Sequence, residues 1–586
     1  MDIDGFQEEI GGITTYQVLI ILFGGLITFG SGFTSQAAVF LSAVPDFRCA
    51  VPPIDDPNVY PSLDESDINN YTIPYDTATA EYDSCNRYNY NLTSCRGDGD
   101  LSCVTSDEDP GTIPCDQGYY YDPTYYDETT ITQWDLVCDR QYLDSLANTL
   151  FFLGFFIGSA FVGPLSDWFG RKLAMIVLCI GLVSCSVGCA FAPTFEIYTL
   201  VRVLCGAFGI TCFISYFTYA SEICPINWRV EAGAYAQMTT AIAHTVYPWI
   251  AYALRDWHEI QLTIGLIPAA FFVVYFFIPE SPRWLLRNGK PEEAKKIIAR
   301  YAQSKNKKLT DEKWNSIVEF EKKKEALKEE EEKTANKIGV WDLFRRPLMR
   351  LMSFNVMISW FTVSMVFYGL ALNGGNLAGD PYLNTTLNAV VEIAAYVFVY
   401  FSTKLGRRPV FSASYILAGI SCIASMLFDL YANGDPGLFT ASTVMAIAGK
   451  FFASIGFALA YSVTGEIFPT NARTTGLSLG SMAARVGGMI SPFVLQLQTT
   501  IPWFTQTIFG TLSIISGLLT LLYPETSNAE YMTTLDEAED FYWENIKALK
   551  WFGMKRPEKS SSKLDMESKT NPSFNGTLDE LTATKL

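Results

Sequence analysis

Apolar runs of about twenty residues and more, joined by short charged links, govern what this 586-residue chain can become. About 20 consecutive apolar residues suffice to cross the hydrocarbon of a bilayer. In lipid every backbone polar group must find a partner inside the chain, so only helices and closed barrels span it. These runs are too long and too continuous for barrel strands. The reading is an all-α membrane protein. Runs fall near 16–44, 146–165, 173–191, 195–220, 233–254 and 260–279, and again near 348–371, 385–403, 410–431, 438–464, 475–499 and 503–523. Twelve transmembrane helices are therefore expected: the first over 16–44, the second to sixth within 146–279, and the seventh to twelfth within 348–523. Residues 1–15 form the N-terminus, 45–145 a large loop after the first helix, 280–347 a linker and 524–586 a tail. Within the linker, Glu319–Lys337 reads as soluble helix. The tail from Tyr542 onward is polar and reads as disordered.

Charge and cysteine segregate with this pattern. Between Pro45 and Arg140 stand 20 acids against 4 arginines, which supplies most of the net charge of -19. The same stretch holds Cys49, Cys85, Cys95, Cys103, Cys115 and Cys138. An even set in a polar loop predicts three disulfides in an oxidising compartment, with their connectivity open. The sequons beginning at Asn70 and Asn91 predict glycosylation there. Arg171, Lys172, Arg229, the lysine-rich linker, Arg407, Arg408 and Arg473 all fall on the opposite side of a twelve-helix count, so that side is cytoplasmic and holds both termini. The acidic start, Met1-Asp2-Ile3-Asp4, lacks the basic region of a cleaved signal, so the first run is retained. No segment is basic enough to bind nucleic acid.

The two sets of six runs repeat one another. Gly163 to Lys172, with Asp167, Gly170 and Arg171, follows the second run, and Thr403 to Arg408, with Gly406 and Arg407, follows the eighth. Glu222-Ile223-Cys224-Pro225-Ile226-Asn227-Trp228-Arg229 is matched by Glu466-Ile467-Phe468-Pro469-Thr470-Asn471-Ala472-Arg473. Pro279-Glu280-Ser281-Pro282-Arg283-Trp284 ends the sixth run and Pro524-Glu525-Thr526 the twelfth. Each pair is offset by about 240 residues, and chance matches would not keep both order and spacing. Two pseudo-symmetric six-helix halves around a central cavity are a transporter architecture, with substrate held near the midplane.

These loop motifs resemble those of the major facilitator superfamily. The large loop after the first helix, Thr132 to Cys138 before the second, and Pro279 to Trp284 together resemble its organic cation/anion/carnitine branch, solute carrier family 22. The resemblance covers nearly the whole chain except the tail. Trp134-Asp135-Leu136-Val137-Cys138 is fairly specific to that branch, whereas the Gly-Arg-Arg and Pro-Glu-Ser-Pro-Arg motifs are shared with sugar porters. The resemblance implies an alternating-access carrier of small organic ions in a plasma membrane, closest in pattern to the carnitine members.

Ionisable groups inside the runs are costly, which makes Arg202, His244, Glu392, Lys450 and Arg485 the first candidates for function. The resemblance implies that Arg485 stands where cation-selective members carry Asp and anion or carnitine members carry Arg. A guanidinium there can clamp a carboxylate. Glu392 resembles the acid of cation and carnitine members, and its alternatives are pairing with Arg485 or Lys450. Opposite charges in one cavity suit a zwitterion such as carnitine. Trp360, Phe361 and Tyr368 are candidate wall residues for a quaternary ammonium, with Trp360 and Tyr368 expected roughly on one face. Lys450 is a further candidate for the cavity; for Arg202 and Lys450 structural organisation and proton or ion coupling are both open, with the structural reading first, and His244 reads as a packed neutral imidazole. Asp167, Arg171, Lys172, Glu222, Arg229, Arg407, Arg408, Glu466 and Arg473 read as gating residues, with Asp167 expected to reach the start of the eleventh helix near Arg473.

Rival readings are an organic anion exchanger, which Glu392 argues against, and a sugar porter, which the near absence of side-chain amides in the seventh run argues against. From another class comes a non-transporting receptor or scaffold on a carrier fold. An enzyme is not expected, because the chain has no nucleophile motif, no phosphate loop and no metal-ligand cluster, and no metal is expected. No cofactor is expected beyond a coupling ion, Na⁺ or H⁺, and the sequence does not choose between them. The expected partners are the bilayer, a small organic ion and, at Thr584-Lys585-Leu586, a PDZ domain. Oligomeric state is not legible.

Overall fold

The computed structural model describes residues 2–52, 54–55, 65–76, 81–90, 111–334, 339–402, 405–432, 434–526 and 532–546. The apolar runs fold into long helices. The first half contains α1 (Thr15–Leu41), α2 (Tyr142–Phe169), α3 (Arg171–Ala190), α4 (Phe195–Ile223), α5 (Arg229–Leu254) and α6 (Trp257–Phe277). The second contains α7 (Pro347–Leu372), α8 (Pro381–Ser402), α9 (Arg407–Leu430), α10 (Pro436–Ile467), α11 (Arg473–Gln496) and α12 (Phe504–Thr520). Among the described residues nine of these helices are long and apolar enough to cross a membrane. The other three depart for visible reasons. α5 and α11 carry polar and small residues such as Glu231, Gln237, His244 and Arg485, and α12 is 17 residues long.

Small residues set how closely the helices cross. A Cβ on Gly154 or Gly158 of α2 would lie 2.1 Å from the Val203 carbonyl oxygen or 2.4 Å from that of Ala207 on α4. The halves meet along two seams, α2 against α11 and α5 against α8. Side-chain contacts across them gather on the side that carries the large loop. Ser145 Oγ donates to the Pro492 carbonyl at 3.3 Å and Thr149 Oγ1 to that of Met489 at 2.8 Å. Tyr382 at the start of α8 stacks on Phe40 at the end of α1, 5.0 Å between centroids, and donates to the Tyr125 carbonyl at 2.5 Å. At the linker end of α2, Phe161, Trp168 and Phe169 are exposed. The halves are tied to one another on the loop side.

Both ends of the described chain dock on the linker side. A helix over Ile3–Glu9 buries Ile3 and Phe6 against Trp284, Leu285, Ile298 and Tyr301 of the linker helices. The Gln7 and Gln17 amides donate to the Ile223 carbonyl that ends α4, at 3.2 and 2.6 Å. In the second half the corresponding Ile467 carbonyl ends α10 and accepts from Tyr542 Oη at 2.5 Å. Tyr542 is therefore not the start of a disordered tail. It lies fully buried in a helix, Leu535–Asn545, whose apolar residues cover the second half. The polar composition of that segment concealed a single buried face.

In the large loop, Cys49 is bonded to Cys115 and Cys85 to Cys138. Short antiparallel pairings, Phe47–Cys49 with Tyr119–Tyr121 and Asn86–Tyr88 with Thr112–Pro114, lie beside those bonds. Asn70 is exposed on a helix over Glu65–Thr72. Cys95, Cys103, Asn91 and Thr584 to Leu586 lie outside the described residues.

Candidate functional site

The repeated motifs, far from one another in sequence, assemble into one cluster per half. Arg171 opens α3, and its guanidinium bonds Glu222 Oε1 at 2.7 Å and Asp167 Oδ1 at 2.8 Å. Glu280 accepts from the backbone N–H groups of Arg171 and Lys172 at 3.0 and 3.2 Å, so a carboxylate caps the positive end of α3. Burial pushes the Glu280 carboxyl up from its ordinary range, against those same bonds. In the second half Arg407 Nε bonds Glu466 at 3.0 Å and the Arg407 N–H bonds Glu525 at 3.0 Å, while Thr526 donates to Glu466 at 2.6 Å. Arg408 donates to the Leu521 carbonyl. Gly170 and Gly406, at φ of +90° and +93°, make the turns into α3 and α9 that bring these groups together. Asp167 stays in its own half, bonded to Arg171, and does not reach α11. Asp4, which the sequence did not single out, bonds Arg229 at 3.0 Å and Arg283 at 2.5 Å.

The midplane charges lie where the halves meet. Glu392 on α8 is 1% exposed and takes three partners: Tyr396 Oη at 2.9 Å, His244 Nδ1 at 3.4 Å and Lys450 Nζ at 3.5 Å. His244 belongs to α5 in the first half, and its Nε2 lies 3.0 Å from Ser35 Oγ on α1. It is packed, as expected, and it also bridges the two halves. Lys450 is wholly buried on α10; its ammonium lies 3.2 Å from the Phe367 ring centroid and donates to the Phe367 carbonyl at 3.2 Å. Of the pairings open to Glu392 in the sequence, the structure holds the one with Lys450, so this acid already has its counter-charge.

Arg485 is different. It is 6% exposed, and among the described residues no carboxylate pairs with it. Its Nε has no hydrogen-bond partner. The guanidinium lies beside Tyr368 and 6.0 Å from the Phe155 ring centroid. Its position follows from the glycines after it. A Cβ on Gly487 would sit 2.3 Å from the Phe361 carbonyl oxygen, and one on Gly488 3.3 Å from the Phe152 ring. α11 therefore presses on α7 and approaches α2 just one half-turn beyond Arg485. Tyr368 joins this seam, with Phe152 at 4.9 Å and Phe367 at 5.3 Å between centroids. Phe361 is partly buried against the core of the second half. Trp360 does not share the surroundings of Tyr368. It is 1% exposed, donates to Thr464 Oγ1 at 2.8 Å and is closed in by Tyr461 and Gly480. Eight residues advance about 80° beyond a whole number of turns at 3.6 residues per turn, enough to give these side chains different neighbours. Arg202 lies in a separate nest, 3.4 Å from Asn148 Oδ1 and over the rings of Phe151 and Tyr198.

A family model described as sugar (and other) transporter matches residues 116–536. An organic cation transporter-like protein of Drosophila melanogaster is 30% identical over 549 residues, covering 92% of this chain and 93% of that one. The organic cation/carnitine transporter 2 of Rattus norvegicus is 29% identical over 553 residues, covering 92% and 94%. This chain belongs to solute carrier family 22 of the major facilitators. As a family 22 member it is a transporter and not an enzyme. The inward-open xylose transporter XylE from E. coli has the same fold, with a TM-score of 0.59 at 16% identity over 89% of this chain and 98% of that one.

Proposed function

We propose that this family 22 carrier moves small organic ions bearing a carboxylate or similar anionic group, zwitterions such as carnitine foremost, across a plasma membrane with both termini cytoplasmic. One observation carries the reading: Arg485 is buried in the seam between the halves without an acidic partner among the described residues. An uncompensated charge at membrane depth is expensive, and a substrate carboxylate supplies the missing counter-charge through two parallel hydrogen bonds. Glu392 is satisfied by Lys450, so the cationic end of a zwitterion falls to the ring faces of Phe152, Phe155 and Tyr368, an attraction of ~0.5–2 kcal/mol. Opening and closing of the two seams carries the substrate, and the Arg171 and Arg407 clusters hold each half rigid while it moves. The carnitine relatives and the positive-inside pattern support this reading.

The test is uptake of labelled carnitine, a quaternary cation without a carboxylate, and a dicarboxylate, each with and without Na⁺, by wild type and by Arg485→Gln. The expected result is carnitine uptake that Arg485→Gln abolishes, with the simple cation transported poorly by both. Wild-type carnitine uptake in Arg485→Gln sinks the proposal. An organic anion exchanger is the second reading, favoured by the pairing of Glu392 with Lys450. It is established instead if the dicarboxylate is moved and carnitine is not.

A further inference from the structure

On the loop side, Glu128 meets Asp256 and His258, well over a hundred residues further on, outside both the midplane site and the motif clusters. The donor atoms of Glu128, Asp256 and His258 all lie within 4.8 Å of one another, and each residue is half-buried. Two ligands of one zinc ion, each about 2.1 Å from the metal, stand at most ~4.2 Å apart, so small side-chain movements close the set. The backbone holds the ligands in place. Glu128 and Asp256 form a parallel bridge, Trp257 N–H donates to the Glu128 carbonyl at 3.0 Å, and Asp127 N–H donates to the Arg255 carbonyl at 3.1 Å. Arg255 adopts a left-handed turn, φ 58°, at the end of α5. That turn delivers Asp256 to the head of α6, where its Oδ1 accepts the His258 N–H at 2.7 Å.

The charges fit a dication. Two carboxylates face one imidazole, with His258 Nδ1 at 3.4 Å from Asp256 Oδ1. The neighbouring cation, Arg255, lies over the Tyr252 ring at 5.7 Å. The His258 ring is fixed against Trp257 at 3.9 Å between centroids. One nitrogen and two carboxylate oxygens form a borderline set that suits Zn²⁺ above the all-oxygen cations Ca²⁺ and Mg²⁺.

We infer that Glu128, Asp256 and His258 form a binding site for a divalent transition metal of the Zn²⁺ class that clamps the end of the large loop onto the α5–α6 turn. The site has a mechanical consequence. Three residues before Glu128, the Tyr125 carbonyl accepts the Tyr382 hydroxyl of the second half, and the Tyr126 ring lies 6.2 Å from that of Tyr382. A metal that fixes this strap to the first half steadies the contact that keeps the loop side closed, and therefore slows reopening.

The experiment has two arms. Titration calorimetry of ZnCl₂ into the purified full chain is expected to show one ion per chain. His258→Gln and Glu128→Gln are each expected to weaken it by at least ~10-fold, since removal of even an outer partner does as much at metal sites. Ca²⁺ is expected to bind more weakly and to ignore His258→Gln. No Zn²⁺ binding by wild type, or equal binding by His258→Gln, overturns the site. In the second arm Zn²⁺ applied on the loop side is expected to inhibit wild-type uptake and to spare His258→Gln, whose uptake without metal stays at the wild-type level. Zn²⁺ that binds without slowing wild-type uptake overturns the clamp. The calorimetric arm is independent of substrate and membrane orientation, so its outcome is separable from that of the proposed function.

Discussion

Replacing Lys450 by Met removes the ammonium 3.5 Å from a carboxylate that is itself 1% exposed. At an effective dielectric of about 20, two unit charges at that distance attract by about 5 kcal/mol. The net effect is smaller, because desolvation of both ions offsets some of the attraction. Breaking a buried pair from one side typically costs about 3–5 kcal/mol. Glu392 keeps His244 and Tyr396, which places Lys450→Met at the lower end, about 3 kcal/mol. A chain of this size shifts by on the order of 1 °C per kcal/mol, so the thermal midpoint of the detergent-purified carrier is expected to fall by roughly 2–3 °C. Glu392→Gln alone strands the ammonium on Phe367 and is expected to cost a similar amount. The double variant Glu392→Gln/Lys450→Met leaves no buried charge in the pair and is expected to recover most of the loss, a strong departure from additivity. Midpoints measured by thermal-shift fluorescence across the four proteins decide the matter. Additive losses would refute the claim that the two side chains compensate one another.

Three further outcomes follow from the packing and the clusters. Asp167→Asn is expected to leave folding and surface expression intact, because Arg171 retains Glu222, while uptake falls; wild-type turnover would show that transport does not need the Asp167–Arg171 bond. Gly154→Val drives a side chain into the Val203 carbonyl of α4 and is expected to cost about 1–3 kcal/mol or more, read as a lower thermal midpoint and lower yield; an unchanged midpoint would contradict the close crossing. Asp4→Asn weakens two arginine bonds and is expected to expose the Ile3–Glu9 helix to limited proteolysis, with little change in uptake affinity; unchanged protection would show that apolar burial alone holds that helix.

Much of the fold was legible because membrane spans are written in composition and repeated motifs in fixed spacing. Each half gathers its Gly-Arg, Glu-x-x-Pro and Pro-Glu motifs into a cluster, and a repeat of about 240 residues announces that both halves do so. The buried charges at Glu392, Lys450 and Arg485 were legible for the same energetic reason. Their pairing was not. Whether Glu392 meets Lys450 or Arg485 depends on helix rotation and crossing, which periodicity fixes only to within a turn. The packing of His244 was legible but its reach to Glu392 was not, because nothing near it in sequence reveals α8 across the seam. Trp360 and Tyr368 diverged because eight residues do not close a whole number of turns. Asp4, Tyr542 and the meeting of Glu128 with Asp256 and His258 escaped notice because the partners brought together lie between 75 and 279 residues apart, or belong to segments whose polar composition hides one apolar face.

The last carbonyl of α4 is held by residues from the very start of the chain, and that of α10 by a residue near its far end. Each terminus thus acts as a splint on the helix end of its own half, beside the linker. A reporter protein grafted just ahead of Ile3 therefore loads that splint and will report on a carrier whose first half it has already altered.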